Sequence, residues 1–477
     1  MNASPEVFLI NPPFGGEAAV GASRSLRHVL NVIPPLGLAY CAAVLEKEGI
    51  RTELFDCSAD TRALLPRLIE ARPPIIGITA STPVFASAAA IAREIRARLP
   101  GSAIIIGGAH VTAAWSDAMA EGAFDAGVIG EGEITLLELV RHIRNRGLTG
   151  LGAVRGVVFR EGGRVAAALP RGFIDDLDTL PYPARHLLPH PARYHPTPAS
   201  YRRLPLGIMI TSRGCPQRCT FCDRAVFGNA YRSRSAANVL GEVDELVGKY
   251  GCREIRFFDD CFALDKKRVS ALCAGLGNMR KRVSWTCLTT VGSVDRDILR
   301  EMKRAGCWQV LFGLESGNDR VLERLRKGAT VEQNIRAVRL AKEAGLSVRA
   351  DFICGTPGET RETMTETLEF ALASGVEFAH FNKFVPFPGT ELYAGIRAGG
   401  ASPCFGAGSA ITDDTSFNYI PESVGDERFY RAFFHAAHRK FYLRPGYILR
   451  RLFSLRTFDE LCGQVRGFFS ILFWGAR

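Results

Sequence analysis

Two blocks of the chain alternate short apolar runs with helical patterns, and a proline-rich stretch separates them. In the first block, about residues 1–145, EVFLINPP reads as a buried strand ending at Asn11 and PPLGLAYCAAVLEKEGI as a helix ending near Gly49. RTELFDC and PIIGITAS read as further strands, VFASAAAIAREIRARLP as a helix, and AIIIGGAH and AGVIGEGE as strands with their loops. Runs that are apolar throughout, rather than alternating, mark strands covered on both faces, and the helices between them are the crossovers of a parallel sheet. The block is expected to be a doubly wound, Rossmann-like α/β domain, whose ligands lie beyond the carboxyl ends of the strands. Those ends carry Asn11-Pro12-Pro13, Asp56, Thr79-Ala80-Ser81, Gly107-Gly108 and Gly130-Glu131-Gly132.

Residues 146–205 change character. GVVFREGGRVAAA predicts a small hairpin turning at Gly162-Gly163, and LDTLPYPARHLLPHPARYHPTPASYRRLP has no period and reads as a linker. His186, His190 and His195 fall in it, but their spacing fits no common metal-ligand pattern, so a solvated loop is the expectation. From 206 to 395 the alternation resumes, with strand candidates LGIMITS, EIRFFDD, VSWTCLTT, WQVLFGLES, SVRADFICG and FAHFNKFVP. Six such units predict a partial (β/α)6 barrel of the TIM type, with its chemistry at the carboxyl ends of the strands. Residues 396–477 read as irregular and then mostly helical. There, DERFYRAFFHAAHRKFYLRPGYILRRLF mixes aromatic residues and arginines, and aromatics at helical spacing favour packing on the barrel over peripheral membrane contact. Tyr442, Arg444 and Tyr447 could close over a substrate or simply pack.

At 477 residues the chain exceeds one ordinary core. Its formal net charge of +11 is spread along the sequence rather than blocked, which is the pattern of a solvated surface, and no nucleic-acid partner is expected. The start MNASPEVFLINPP lacks the basic and apolar regions of a signal peptide, and no run of about 18 apolar residues is present. A cytoplasmic location is expected, where thirteen cysteines do not form a disulfide framework. Ten of the thirteen are scattered singly and read as small buried hydrophobes.

The other three stand within eight residues in TSRGCPQRCTFCDRA: Cys215, Cys219 and Cys222. Structural zinc takes four ligands, commonly as two pairs, and no second C-x-x-C pair exists here. A thioredoxin-like motif would use Cys219 and Cys222 and leave Cys215 unexplained. A cubane iron–sulfur cluster takes one thiolate per iron, so three cysteines on one loop leave one iron open for an exogenous ligand. Gly214 and Pro216 suit a tight loop, and Phe221 would keep water away from a cluster.

This C-x-x-x-C-x-x-C triplet after the first strand of a partial barrel resembles the radical S-adenosylmethionine superfamily, over about residues 200–395. The resemblance implies a 4Fe-4S cluster held by Cys215, Cys219 and Cys222, with S-adenosylmethionine chelated to the open iron and cleaved to a 5′-deoxyadenosyl radical. FFDD ends the second strand, so Asp259 and Asp260 are candidates for the methionine moiety. FGLESG ends the fourth, so Glu315 and Ser316 are candidates for ribose or methionine, and FICGTPGET brings Gly355 and Gly358 toward the adenine. For each acid the plain alternative is a helix cap or a barrel salt bridge. The preceding domain, through LINPP, PPLGLAYCAAVLE, IIGITAS, IIIGGAHVTA and VIGEGE, resembles the cobalamin-binding, class B methyltransferase-like members. That implies cobalamin, as methylcobalamin, contacted by Asn11, Pro12, Thr79, Ser81, Gly107, Gly108, Gly130, Glu131 and Gly132. The D-x-H-x-x-G motif that supplies a cobalt-binding histidine is missing: DCSADT stands at Asp56, and His110 lies at a different strand end. In TCLTTVGSVD, Thr290 and Gly292 occupy places where the subfamily commonly has arginine and aspartate.

The resemblance implies methylation of an unactivated carbon of a small molecule, with a flavodoxin or ferredoxin as electron donor. A cobalamin-associated radical cyclase or rearrangement enzyme is the alternative within the family. An iron–sulfur sensor without turnover is the alternative outside it.

Overall fold

The computed structural model describes residues 4–13, 32–60, 62–400 and 418–472. Strands β1 (Val7–Asn11), β2 (Thr52–Asp56), β3 (Ile75–Thr79), β4 (Ala103–Gly107) and β5 (Ala126–Val128) are parallel and lie in the order β2-β1-β3-β4-β5. Val7 and Leu9 of β1 enter one core with Leu38, Ala42 and Leu139, while Phe8 and Ile10 enter the opposite core with Ala88, Ala92 and Ile95. Helices therefore cover both faces, which explains the continuous apolar runs. Each large apolar side chain so buried contributes roughly 1.5–3 kcal/mol. Strand order reverses between β1 and β3, so the ligand crevice of this doubly wound sheet opens beside Asn11 and Thr79.

The hairpin expected between the two blocks is part of this sheet. β6 (Val157–Glu161) pairs antiparallel with β5, and β7 (Arg164–Ala167) pairs with β6, giving seven strands. Val157 and Phe159 join the same core as Leu139 and Leu151, which is why the hairpin docks rather than standing free. The proline-rich stretch after it is an ordered strap. Tyr182 Oη donates to the Asn238 carbonyl (2.9 Å), Arg185 donates to the Ile208 carbonyl (2.7 Å) and pairs with Glu242 (2.6 Å), and Tyr194 Oη donates to Asp56 (3.0 Å). Single inserted side chains leave no period in the sequence, so these anchors were not legible there. His186, His190 and His195 are exposed, and among the described residues no three metal-ligating side chains converge on one ion.

The second sheet comprises β8 (Leu206–Met209), β11 (Glu254–Phe257), β12 (Ser284–Thr289), β13 (Cys307–Glu315), β14 (Ser347–Cys354) and β15 (Phe378–Lys383), all parallel and in chain order. A two-residue ladder, β9 (Ser212–Arg213) with β10 (Arg232–Ser233), sits between β8 and β11 in the chain. This is the expected partial barrel, open between β8 and β15. Val348, Ala350 and Phe352 pack outward against the helices, so the pleat turns Arg349, Asp351 and Ile353 to the interior. At the amino end, Glu254 accepts from the backbone N–H groups of Arg202 (3.1 Å) and Arg203 (3.0 Å), from Ser284 Oγ (3.1 Å) and from Trp308 Nε1 (2.9 Å).

Of the C-terminal helices Glu427–Tyr442, Pro445–Ser454 and Phe458–Leu472, the first packs along β15 and reaches the end of β14 through Tyr430, which donates to the Cys354 carbonyl (2.9 Å). Tyr442 Oη donates to the Ala379 carbonyl (2.8 Å) and accepts from its N–H (3.1 Å), Tyr447 Oη donates to Glu377 (2.9 Å), and Arg444 donates to Leu372 (3.1 Å). The last helix reaches the other edge, where Asp459 accepts from the Leu204 N–H (3.0 Å). All three candidate closing residues are thus spent on packing around β15. Among the described residues no helix is long and apolar enough to cross a membrane.

Candidate active site between two strand-end faces

The loop leaving β8 carries the three cysteines. Gly214 enters it at φ +83°, and a Cβ there would stand 2.2 Å from the Ala230 carbonyl oxygen, so only glycine fits this turn. Thr220 N–H donates to the Leu325 carbonyl (3.0 Å), and Cys222 N–H to Cys219 (3.3 Å), which fixes the loop's far side. Cys219 is buried, Cys215 half-buried and Cys222 exposed. A single ion needs ligands that converge, whereas the irons of a cubane each take their own thiolate, so sulfurs set apart along one loop suit a cluster. Beside them lies Lys327, 5.9 Å above the Phe221 ring and bonded to Glu315 (2.7 Å). Burial raises the pKa of the Cys219 thiol, and the charge of Lys327 opposes that rise and favours the thiolate forms of Cys215 and Cys219 that an anionic cluster requires. Three thiols and one buried cation therefore fit the cluster.

The carboxyl ends of the barrel strands divide their candidates. Asp260 is exposed and faces Cys215 and Cys222. Asp259 is fully engaged: it accepts from Thr211 N–H (2.6 Å), Thr211 Oγ1 (2.6 Å) and Ser212 Oγ (2.7 Å), and so staples β11 to the start of the cysteine loop. Glu315 sits at a register irregularity of β13 with φ +61°, a conformation rare for a residue with a side chain and common at functional sites. Burial raises its carboxyl pKa, against the opposing charge of Lys327. Ser316 is tied to Thr367 (3.0 Å) and to the Asn318 N–H (3.2 Å). Gly355 admits Tyr430, whose hydroxyl would stand 2.0 Å from an added Cβ, and Gly358 borders Arg324. Gly292 faces open space and Thr290 is half-buried at the inner end of β12.

On the facing domain, Asn11 Nδ2 donates to Asp56 (2.8 Å) at the switch point, Pro12 is buried, Thr79 is half-buried and Ser81 is exposed. Around Gly130 an added Cβ would meet nothing within 4 Å, which leaves a cradle open to a large ligand such as cobalamin; Gly107 meets only Val128 at 3.7 Å. Gly108 is required by the neighbouring strand, since a Cβ would lie 2.7 Å from the Ala80 carbonyl oxygen, and Gly132 lies over Cys41 (3.2 Å). His110 is buried against Phe85, with ring centroids 4.2 Å apart, and burial lowers its pKa to about 4, so its imidazole is neutral.

Glu131, expected from its glycine neighbours as a cofactor contact, is held by partners of its own in the protein. It pairs with Arg213 (2.8 Å) and Arg232 (3.0 Å) and accepts from the Ile174 N–H (2.6 Å), while Glu133 takes the other arm of Arg213 (2.5 Å). Arg213 stacks between Tyr40 and Phe227, at 5.4 and 5.2 Å, immediately before Gly214 and Cys215. Gly389, after β15, abuts both Ala113 of the first domain and Asp223 of the cysteine loop, where an added Cβ would meet them at 2.9 and 2.8 Å. The two strand-end faces therefore meet. The sequence reading missed Arg213, Lys327 and Cys261, whose sulfur lies 3.4 Å from that of Cys215. Lys327 had the signal of standing before a turn glycine (Gly328) after FGLESG, and Cys261 that of following FFDD directly.

Comparison with known proteins agrees with this geometry. The Radical SAM superfamily matches residues 209–371, and the B12 binding domain matches residues 25–140. An uncharacterized methyltransferase of Pyrococcus horikoshii is 33% identical over 436 residues, covering 89% of this chain and 91% of its own. The anaerobic magnesium-protoporphyrin IX monomethyl ester cyclase of Cereibacter sphaeroides is 28% identical over 378 residues, covering 76% of this chain and 60% of its own. The radical S-adenosylmethionine methyltransferase TsrM of Kitasatospora setae, at 22% identity, superposes with a TM-score of 0.67 over 83% of this chain and 76% of its own, and so shares the fold. With both domains matched in order and a relative of one-third identity spanning nearly the whole length, the chain belongs to the cobalamin-binding radical S-adenosylmethionine enzyme family, whose cofactors are a 4Fe-4S cluster, S-adenosylmethionine and cobalamin.

Proposed function

We propose that the protein methylates an unactivated carbon of a small-molecule substrate held between the two strand-end faces. The observation that carries this reading is their apposition, with Gly389 touching Ala113 and Asp223, and Arg213 tying the cysteine loop to Glu131 and Glu133. When bound, the cluster with S-adenosylmethionine supplies a primary radical able to abstract an inert hydrogen, and cobalamin supplies a transferable methyl group. The chain's own work is to hold both groups on one chamber and exclude water from it. Cys215, Cys219 and Cys222 would hold the cluster, Lys327 balances its charge, and Asp260 and Glu315 stand where S-adenosylmethionine meets it. A flavodoxin or ferredoxin is the electron donor in this reading.

A cyclase or rearrangement without methyl transfer is the second reading, and the similarity to the Cereibacter sphaeroides cyclase favours it. Anaerobic reconstitution with iron, sulfide and hydroxocobalamin, followed by mass analysis of candidate substrates, separates the two. Methyl transfer gives S-adenosylhomocysteine and 5′-deoxyadenosine in about equal amounts and a product heavier by one methylene, as two separate roles for S-adenosylmethionine demand. Formation of 5′-deoxyadenosine alone, with no methyl gained, overturns it in favour of the second.

A further inference from the structure

The barrel interior carries a charge arrangement distinct from the strand-end candidates described above. Along β14 and β15 the outward residues are buried, while two of the inward ones are not: Asp351 and His380 keep 27% and 36% of their side-chain surface accessible. The inside of the sheet is thus accessible at Asp351 and His380, below the strand ends. Its wall holds two arginines, Arg256 of β11 and Arg349 of β14, only 8% and 6% exposed. The Arg256 guanidinium leans toward the carboxyl end, 4.9 Å from the ring centroid of Phe258. Arg349 leans the same way: its Nη2 donates to His380 Nδ1 (3.0 Å), and its Nε lies 3.4 Å from Asp351 Oδ1. The Arg256 head therefore reaches the level of Phe258, which is in register with Arg349, and the Arg349 head reaches that of Asp351 and His380, beneath the mouth where Glu315 stands.

These groups are only partly satisfied by the protein. Arg256 Nη1, Arg349 Nε and Nη1, and Thr286 Oγ1 are buried with no hydrogen-bond partner. Asp351 is the acid beside Arg349, and Arg256 has no acidic partner within ion-pair distance among the described residues. Burial, and then the charge of Arg349, lower the Arg256 pKa to about 9. An unpaired buried guanidinium such as Arg256 is costly, and a second beside it that shares a single acid adds to the cost, unless an anion completes them. Guanidinium forks match the planar or tetrahedral oxygens of carboxylate and phosphoryl groups.

We propose that this floor is the substrate-anchoring site, and that the substrate carries an oxyanion, carboxylate or phosphoryl, which binds between Arg256 and Arg349 with its reacting carbon directed up to the mouth. The inference rests on the methyl-transfer reading for the word substrate, but its test does not. Thermal melting of the reconstituted full chain is followed against inorganic phosphate and, separately, acetate, at constant ionic strength. The wild-type midpoint rises and saturates with at least one of them; phosphate alone assigns a phosphoryl group and acetate alone a carboxylate. Arg256→Met starts at a higher midpoint, because the unpaired charge is gone, and binds the same anion at least tenfold more weakly. Arg256→Gln, a smaller change, shows the same loss of binding. No response of the wild type to either anion, or wild-type affinity in both variants, overturns the proposal. With a chemical reductant and no substrate, methyl transfer from S-adenosylmethionine to reduced cobalamin, which yields methylcobalamin and S-adenosylhomocysteine, tests the methyl-transfer reading separately.

Discussion

Gly214 and the three cysteines show how much of the chemistry hangs on single positions. Changing Cys219 to alanine removes one iron ligand from a buried place in the loop, so reconstituted protein should fall from about four irons per chain to a small fraction of that. The Cys252→Ala variant should keep the full complement, because that thiol belongs to the outer barrel core. Cys261→Ala should also keep it, since Cys261 touches Cys215 from outside the loop. Gly214→Ala is the subtler case. Its φ of +83° and the Ala230 carbonyl oxygen 2.2 Å from a new Cβ force the turn to move. That strain is on the order of 1–3 kcal/mol and falls on the residue before Cys215, so iron content should drop although every thiol remains. Iron and sulfide assays on the four variants read this out directly, and full iron loading in Cys219→Ala would refute the ligand assignment.

Among the elements, the amino end of the barrel has its own pH dependence, set by Glu254. This fully buried carboxylate joins β11, β12 and β13 to residues 202–203 and has its pKa raised by burial to about 7. The folded state therefore holds a proton that the unfolded chain has released above about pH 4.5, and the stabilisation it gives is lost as pH rises toward 7. Glu254→Gln keeps the shape without the charge, so relative to wild type it should gain on the order of 2–3 kcal/mol between pH 5 and pH 8 in urea unfolding. A constant difference across that range would show that Glu254 does not hold the extra proton. The strands joined here were legible from sequence because each is a long run with fixed burial on both sides. What stayed hidden depends on partners distant in the chain. Val157 and Phe159 gave a hairpin but not the edge it docks on, and the bonds that Asp259 accepts from Thr211 and Ser212 are not legible in FFDD itself. The cysteine triplet was legible because all its chemistry lies within one loop, whereas Lys327 and Arg213 act across the fold.

The whole molecule is two cofactor domains held face to face, and the ion network at Glu131 is a buried link between them. Arg213 and Arg232 converge on this carboxylate with side chains almost wholly removed from solvent, so salt screens the interaction little and a missing partner leaves charge uncompensated. Glu131→Ala leaves Arg213 with Glu133 (2.5 Å), but Arg232 loses its acidic partner and the Ile174 N–H its acceptor. The loss should be roughly 3 kcal/mol, at the lower end for breaking a buried pair. Its position in the glycine-rich loop had marked Glu131 as a cobalamin contact, and the two roles predict different things. A cobalamin contact would leave the cofactor-free protein as stable as wild type and weaken only cobalamin binding. A domain tie would lower the urea midpoint before any cofactor is added, and would expose the strap around Tyr182 and Tyr194 to limited proteolysis, because that segment spans the same boundary. Denaturation of the cofactor-free Glu131→Ala protein beside wild type decides between them, and an unchanged midpoint there would return Glu131 to the cofactor.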